Sequence, residues 1–168
     1  MAQKCVLWLI LTGIAALAFN ADAPAQGWRG LAPMRSTCQD VEKVLGGAAC
    51  GKAQAIYDLP GESVQFNFSV GGCKGGLFQE EYDVPTGTII GISISMRGDK
   101  IVTLSDLKVD LTKFETTDIS DMIGVYKHIS REVGMYITAT EGGVVGNYAY
   151  VPPSSYDNLC ESGVESEQ

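Results

Sequence analysis

The side chains best equipped for chemistry in this chain are its five cysteines and its single histidine. Cys5 falls in an apolar leader, which leaves Cys38, Cys50, Cys73 and Cys160. An even number of cysteines in an exported chain points to two disulfides, with three connectivities open. A Cys38–Cys50 bond would need the chain to double straight back along a helix to bring the Cα atoms within about 7 Å. The favoured pairs are therefore Cys50–Cys73, tying the helix exit to the loop after a strand, and Cys38–Cys160, pinning the C-terminal segment to the helix start. Each would contribute roughly 3–4 kcal/mol by restricting the unfolded chain. A cysteine metal site would draw on C-x-x-C spacing, which does not occur, so no metal site is assigned.

His128 falls in an expected strand with no ordered catalytic partner nearby in sequence. A Ser–His–Asp arrangement needs a nucleophile elbow, and no Gly-x-Ser-x-Gly occurs. Glu80, Glu81 and Asp83, or Asp118 and Asp121, could pair carboxylates for glycoside hydrolysis or calcium. Neither group follows calcium-loop spacing, and acidic loops are usually just solvated. The run Gly71-Gly72-Cys73-Lys74-Gly75-Gly76 lacks the order of a phosphate-binding loop. Asn67-Phe68-Ser69 has the form of a glycosylation sequon but sits mid-strand. No catalytic and no cofactor-binding residue is assigned, and no cofactor. Tyr148 and Tyr150 share one face of a strand beside Gly146, and this aromatic pair is the expected binding surface.

These groups must be held by a small number of elements. Residues 1–25 read as a secretory signal: Lys4, an apolar core from Cys5 to Phe19, and Ala23-Pro24-Ala25 before Gln26. The apolar core is short for a membrane span. A single α+β domain is expected over 26–160, and an acidic tail over 161–168 is expected to be disordered. The one clear helix signal runs through Ser36-Thr37-Cys38-Gln39-Asp40, with Ser36 and Gln39 as a capping box. Cys38, Val41, Val44 and Leu45 form its apolar stripe, and Gly46-Gly47 stops it. A helix of two to three turns is too short to stand alone and must lie on a sheet.

The rest is mostly strand. Residues 55–59 and 63–70 flank Pro60-Gly61 as a hairpin, and the second alternates cleanly between apolar and polar. Residues 88–96 alternate again, with Ile90, Ile92, Ile94 and Met96 on one face. Residues 124–130, 135–140 and 144–151 read as a meander. The expected fold is α+β, a short helix packed on an antiparallel sheet of about six strands. Thr37-Cys38-Gln39-Asp40-Val41 is echoed by Thr103-Leu104-Ser105-Asp106-Leu107, which would suit two helix-plus-three-strand units.

The net charge is −8, and the isoelectric point near 4.5 offers no electrostatic footprint for nucleic acid or anionic lipid.

The run Gly27-Trp28-Arg29-Gly30-Leu31-x-Pro33-x-x-Ser36-Thr37-x-x-Asp40-Val41-x-x-x-Leu45-Gly46 resembles the mature start of a family of small exported bacterial proteins without an assigned function. The helix motif followed by a Tyr-bearing strand is also similar to the SmpA/OmlA (BamE) type domain. That resemblance implies a helix on an antiparallel sheet and a scaffold role in the cell envelope. The β-lactamase inhibitor protein resembles two such units in tandem. BamE-type proteins are lipoproteins, and this chain has no cysteine at the end of its apolar core. The function expected is a non-catalytic binding or scaffold module, exported to the periplasm or beyond, with a protein or envelope component as partner. A small secreted hydrolase using acidic residues or His128, or an inhibitor of a secreted enzyme, is the alternative. Partner identity and oligomeric state are left open.

Overall fold

The computed structural model describes residues 27–72, 82–119 and 123–154. The expected signal 1–25, Cys73, Glu80, Glu81, Asp121, Cys160 and the expected tail 161–168 lie outside the described residues. Among the described residues one α-helix, α1 (Cys38–Leu45), precedes strands β1 (Gln54–Leu59), β2 (Glu62–Phe68), β3 (Ile89–Met96), β4 (Glu115–Asp118), β5 (Val125–Ser130), β6 (Met135–Thr140) and β7 (Val145–Tyr150), with a 3-10 turn at Leu111–Lys113 before β4. All seven strands join one antiparallel sheet in the order β1-β2-β3-β7-β6-β5-β4. The sheet is thus one strand larger than expected. The extra strand is β4, an edge strand exposed at all four residues, whose polar Glu-Thr-Thr-Asp carries no apolar alternation. No helix among the described residues is long and apolar enough to cross a membrane.

Thr37, not Ser36, starts α1. The Asp40 carboxylate accepts the Thr37 backbone N–H at 3.0 Å and its hydroxyl at 2.9 Å, so Asp40 takes the role expected of Gln39. Ser36 instead accepts the backbone N–H of Ala32 on its hydroxyl. Cys38 and Val41 are buried and Leu45 packs on the core, but Val44 stays 47% exposed. The apolar stripe is therefore the narrower i, i+3, i+7 set, because two turns of helix present only one edge to the sheet.

The cysteine pairing differs from expectation. Cys38 bonds Cys50, with the Cα atoms 5.0 Å apart, which replaces both Cys50–Cys73 and Cys38–Cys160. The physical reason lies at the helix end. Gly46 and Gly47 have φ of +74° and +77°, a region glycine enters without a β-carbon clash, and they reverse the chain within one turn. Glu42 then accepts the backbone N–H groups of Ala49 (2.8 Å) and Cys50 (2.9 Å), holding the returning segment beside the helix. The doubling back that this bond needs is built into the local sequence.

The core lies on one sheet face. Val64, Phe66 and Phe68 of β2, Ile89, Ile92 and Ile94 of β3, and Met135, Ile137 and Ala139 of β6 are all buried there. A register shift between Asn67 and Phe68 brings Ile89 onto this face in place of Ile90. The covering layer is α1, the Trp28–Leu31 turn, and a stretch that sets Val102, Leu104, Leu107, Val109 and Phe114 against the core. Trp28 meets Phe66 edge-on at 5.9 Å. Glu62, with its side chain 4% exposed, receives Arg29 (3.0 Å) and Lys100 (2.9 Å). Two cations on one buried carboxylate fasten both loops to the start of β2.

Thr37 and Thr103 sit in matching places. Thr103 gives its backbone N–H (2.8 Å) and hydroxyl (2.7 Å) to Asp106, as Thr37 does to Asp40. Thr37 bridges Thr88 just ahead of β3, and Thr103 bridges Val144 just ahead of β7.

Candidate functional site

The cross-strand register decides which side chains can meet a ligand. One row on the covered face runs Tyr57, Val64, Ile94, Tyr148, Ile137, His128, Thr116. Tyr148 is 9% exposed, and burial pushes its hydroxyl up to about 12. Tyr150 lies against it, ring centroids 5.7 Å apart, and packs on the core. Tyr148 of the expected pair is therefore directed into the covered face, while Tyr150 also lines the cleft on the other side. The cause is strand parity: β7 aligns Tyr148 with Ile94 and Ile137, the face that α1 and its neighbours need for packing.

His128 is in the same row, with Nδ1 2.9 Å from the Thr116 hydroxyl. Asp118 is exposed at the far edge of the sheet, and Asp83 is exposed in the segment before β3. These groups are not brought together. No group of three or more His, Cys, Asp or Glu side chains able to hold a metal occurs among the described residues.

The opposite face carries Ile129, Tyr136, Ala149, Ser93, Gln65 and Ile56 as one row. Here the centre of the row is small, with Ser93 on β3 and Ala149 on β7, while Tyr136 stands on β6 and Gln65 and Asn67 on β2. A trough results. It opens into a cleft of about 330 Å³ lined by residues that include Asn67, Gly91, Ser93, Arg131, Tyr136 and Pro152.

Each wall has a local cause. The Asn67 carbonyl oxygen accepts from Gln54 (3.2 Å) and Gln65 (3.3 Å), which fixes the amide. Its nitrogen faces Gly91, where a β-carbon would stand 3.3 Å away, so glycine keeps the floor low. The Pro152–Pro153 wall is held by two backbone bonds, Val151 N–H to Gly134 and Ser154 N–H to Arg131. The Lys127 ammonium lies 5.4 Å from the Tyr136 ring centroid, within cation–π range. Among the described residues neither Lys127 nor Arg131 enters an ion pair.

The arrangement presents an amide, hydroxyls, a guanidinium and an aromatic ring around a shallow apolar floor. Such a surface can bind a segment with acceptor oxygens. Tyr136 is the aromatic that the strand reading passed over. Its signal was present in Met135-Tyr136-Ile137-Thr138-Ala139, where alternation places Tyr136 with Thr138 on the polar side. No protein family, no curated protein and no solved structure matches this chain.

Proposed function

We propose that this protein is an exported binding or scaffold module of the cell envelope, without a catalytic role, and that it meets its partner with the open face of the sheet. The observation that carries the reading is the trough over β3 and β7, walled by Tyr136 and Asn67 and bordered by two cations that enter no ion pair among the described residues. Sheet faces of globular domains are usually covered or uniformly polar. A concave face with an aromatic wall and convergent donors is a binding shape. Export rests on the signal-like leader and agrees with the Cys38–Cys50 bond, since disulfides persist in oxidising compartments. The tandem reading of the chain, two successive units each opened by a Thr–Asp cap and each ending on a central strand, places the trough on the seam between them. The BamE-type resemblance belongs to the same reading and supports a scaffold role.

The test is affinity capture from the native cell envelope with the wild-type protein and with a Tyr136→Ala, Arg131→Glu double variant. A partner captured by the first and lost from the second is the expected outcome. Equal capture by both removes the open face from the reading, and turnover of a substrate that depends on His128 would replace the reading with the hydrolase alternative.

A further inference from the structure

We infer that the trough takes an acidic side chain of a protein partner, its carboxylate on Arg131 and its aliphatic stem against Tyr136 and Pro152–Pro153; this rests on the binding reading above. The lining is one-sided in its chemistry. Among the described residues it includes Arg131, Asn67, Ser93, Tyr136 and Ser154, and no Asp, Glu or His. This occurs in a chain of net charge −8. Arg29, Lys43, Arg97, Lys100 and Lys113 are each spent on a carboxylate of the chain itself. Among the described residues Arg131 and Lys127 enter no ion pair, as is also true of Arg35, Lys52 and Lys108; Arg131 lines the cleft with Tyr136 and Lys127 lies over its ring.

The Asn67 amide adds direction. Its oxygen is occupied by Gln54 and Gln65, so what it offers to a ligand is its N–H groups. A guanidinium favours a carboxylate over an ammonium or a neutral amide through paired charge-assisted bonds. The proline wall and the tyrosine ring suit the apolar stem and neighbours of such a residue. The cleft volume of about 330 Å³ accommodates a side chain or two rather than a folded element.

The experiment is an NMR titration of the isotope-labelled full chain with two capped tripeptides, acetyl-Leu-Glu-Leu-amide and acetyl-Leu-Gln-Leu-amide. The expected result is that the glutamate peptide shifts the backbone amides of Asn67, Gly91, Ser93, Arg131 and Tyr136. The glutamine peptide is expected to bind about tenfold more weakly, and Arg131→Glu to remove the preference. Equal shifts at those amides from both peptides overturn the acidic assignment and leave the open face as a binding surface. Shifts confined to other residues, or none from either peptide, overturn the assignment and remove its support from the open face. Shifts at the same amides when the acids of segment 155–168 are neutralised, with no effect of added peptide, assign the trough to this chain's own tail and overturn a protein partner.

Discussion

Glu42 holds the backbone N–H of Cys50 at 2.9 Å, so the helix that carries Cys38 also delivers its disulfide partner. Both bonds that Glu42 accepts hold its carboxylate below the usual range, the one from Cys50 most of all. Glu42→Ala is expected to slow oxidative refolding and to lower the melting temperature. The Cys38→Ser, Cys50→Ser pair is expected to lose roughly 3 kcal/mol, the entropy of a loop of this size. Denaturant melts of the three proteins measure both. A double variant as stable as wild type would remove the bond from the stability of the fold.

A non-reducing peptide map is expected to recover a Cys38–Cys50 fragment. Recovery of a Cys50–Cys73 or a Cys38–Cys160 peptide would contradict it.

Acid should loosen the covering layer first. Asp40 is lowered from 3.8 to about 2 by Lys43 and by both Thr37 bonds, and Asp106 is lowered by the corresponding bonds from Thr103. A carboxylate with a depressed folded pKa contributes stability that is whole above its unfolded pKa and lost as pH falls through the folded one. Stability is therefore expected to drop from about pH 4 down to about pH 2. Asp40→Asn should flatten part of that drop. Thermal melts across the range decide it.

The two sheet faces should respond differently to truncation. Tyr148→Ala removes a buried ring and is expected to cost about 3–5 kcal/mol, by analogy with other large-to-small core changes. Tyr136→Ala on the open face is expected to change stability by no more than about 0.5 kcal/mol. Chemical denaturation of the pair checks the assignment of faces independently of any ligand.

Gly87 packs under the disulfide. Its φ is +85°, and a β-carbon there would stand 3.0 Å from the Cys38 sulfur. Gly87→Ala is expected to destabilise by about 1–3 kcal/mol through strain and contact together. Because the Cys38 N–H also bonds the Gly87 carbonyl at 2.8 Å, hydrogen exchange at Cys38 should accelerate in that variant.

Much of this was legible in the residues themselves. The alternation of Val64, Phe66 and Phe68 identified β2 and its buried face, and the strands around Met135–Thr140 and Val145–Tyr150 stood out in the same way. The Thr-x-x-Asp echo marked two places that make the same bonds. What escaped reading were choices made by tertiary partners. β4 is polar throughout and is a strand only because β5 offers it a ladder. Tyr148 could have served either face, and the register with Ile94 settled it. The cysteine pairing turned on two glycines and on Glu42, whose role depends on where the chain goes after the helix. The trough itself is a relation between strands far apart in sequence: Ser93 on β3 beside Ala149 on β7.

That juxtaposition bears on how the molecule assembles. Every other strand pairs with a near neighbour in the chain, but β3 and β7 meet only after the whole second half has been made. Closing so long a loop is the costliest entropic step available to this topology. The hairpins on either side can form early, so the strip joining them should zip last and fray first. The trough floor is that strip, and its availability to a partner would report directly on whether the sheet has closed.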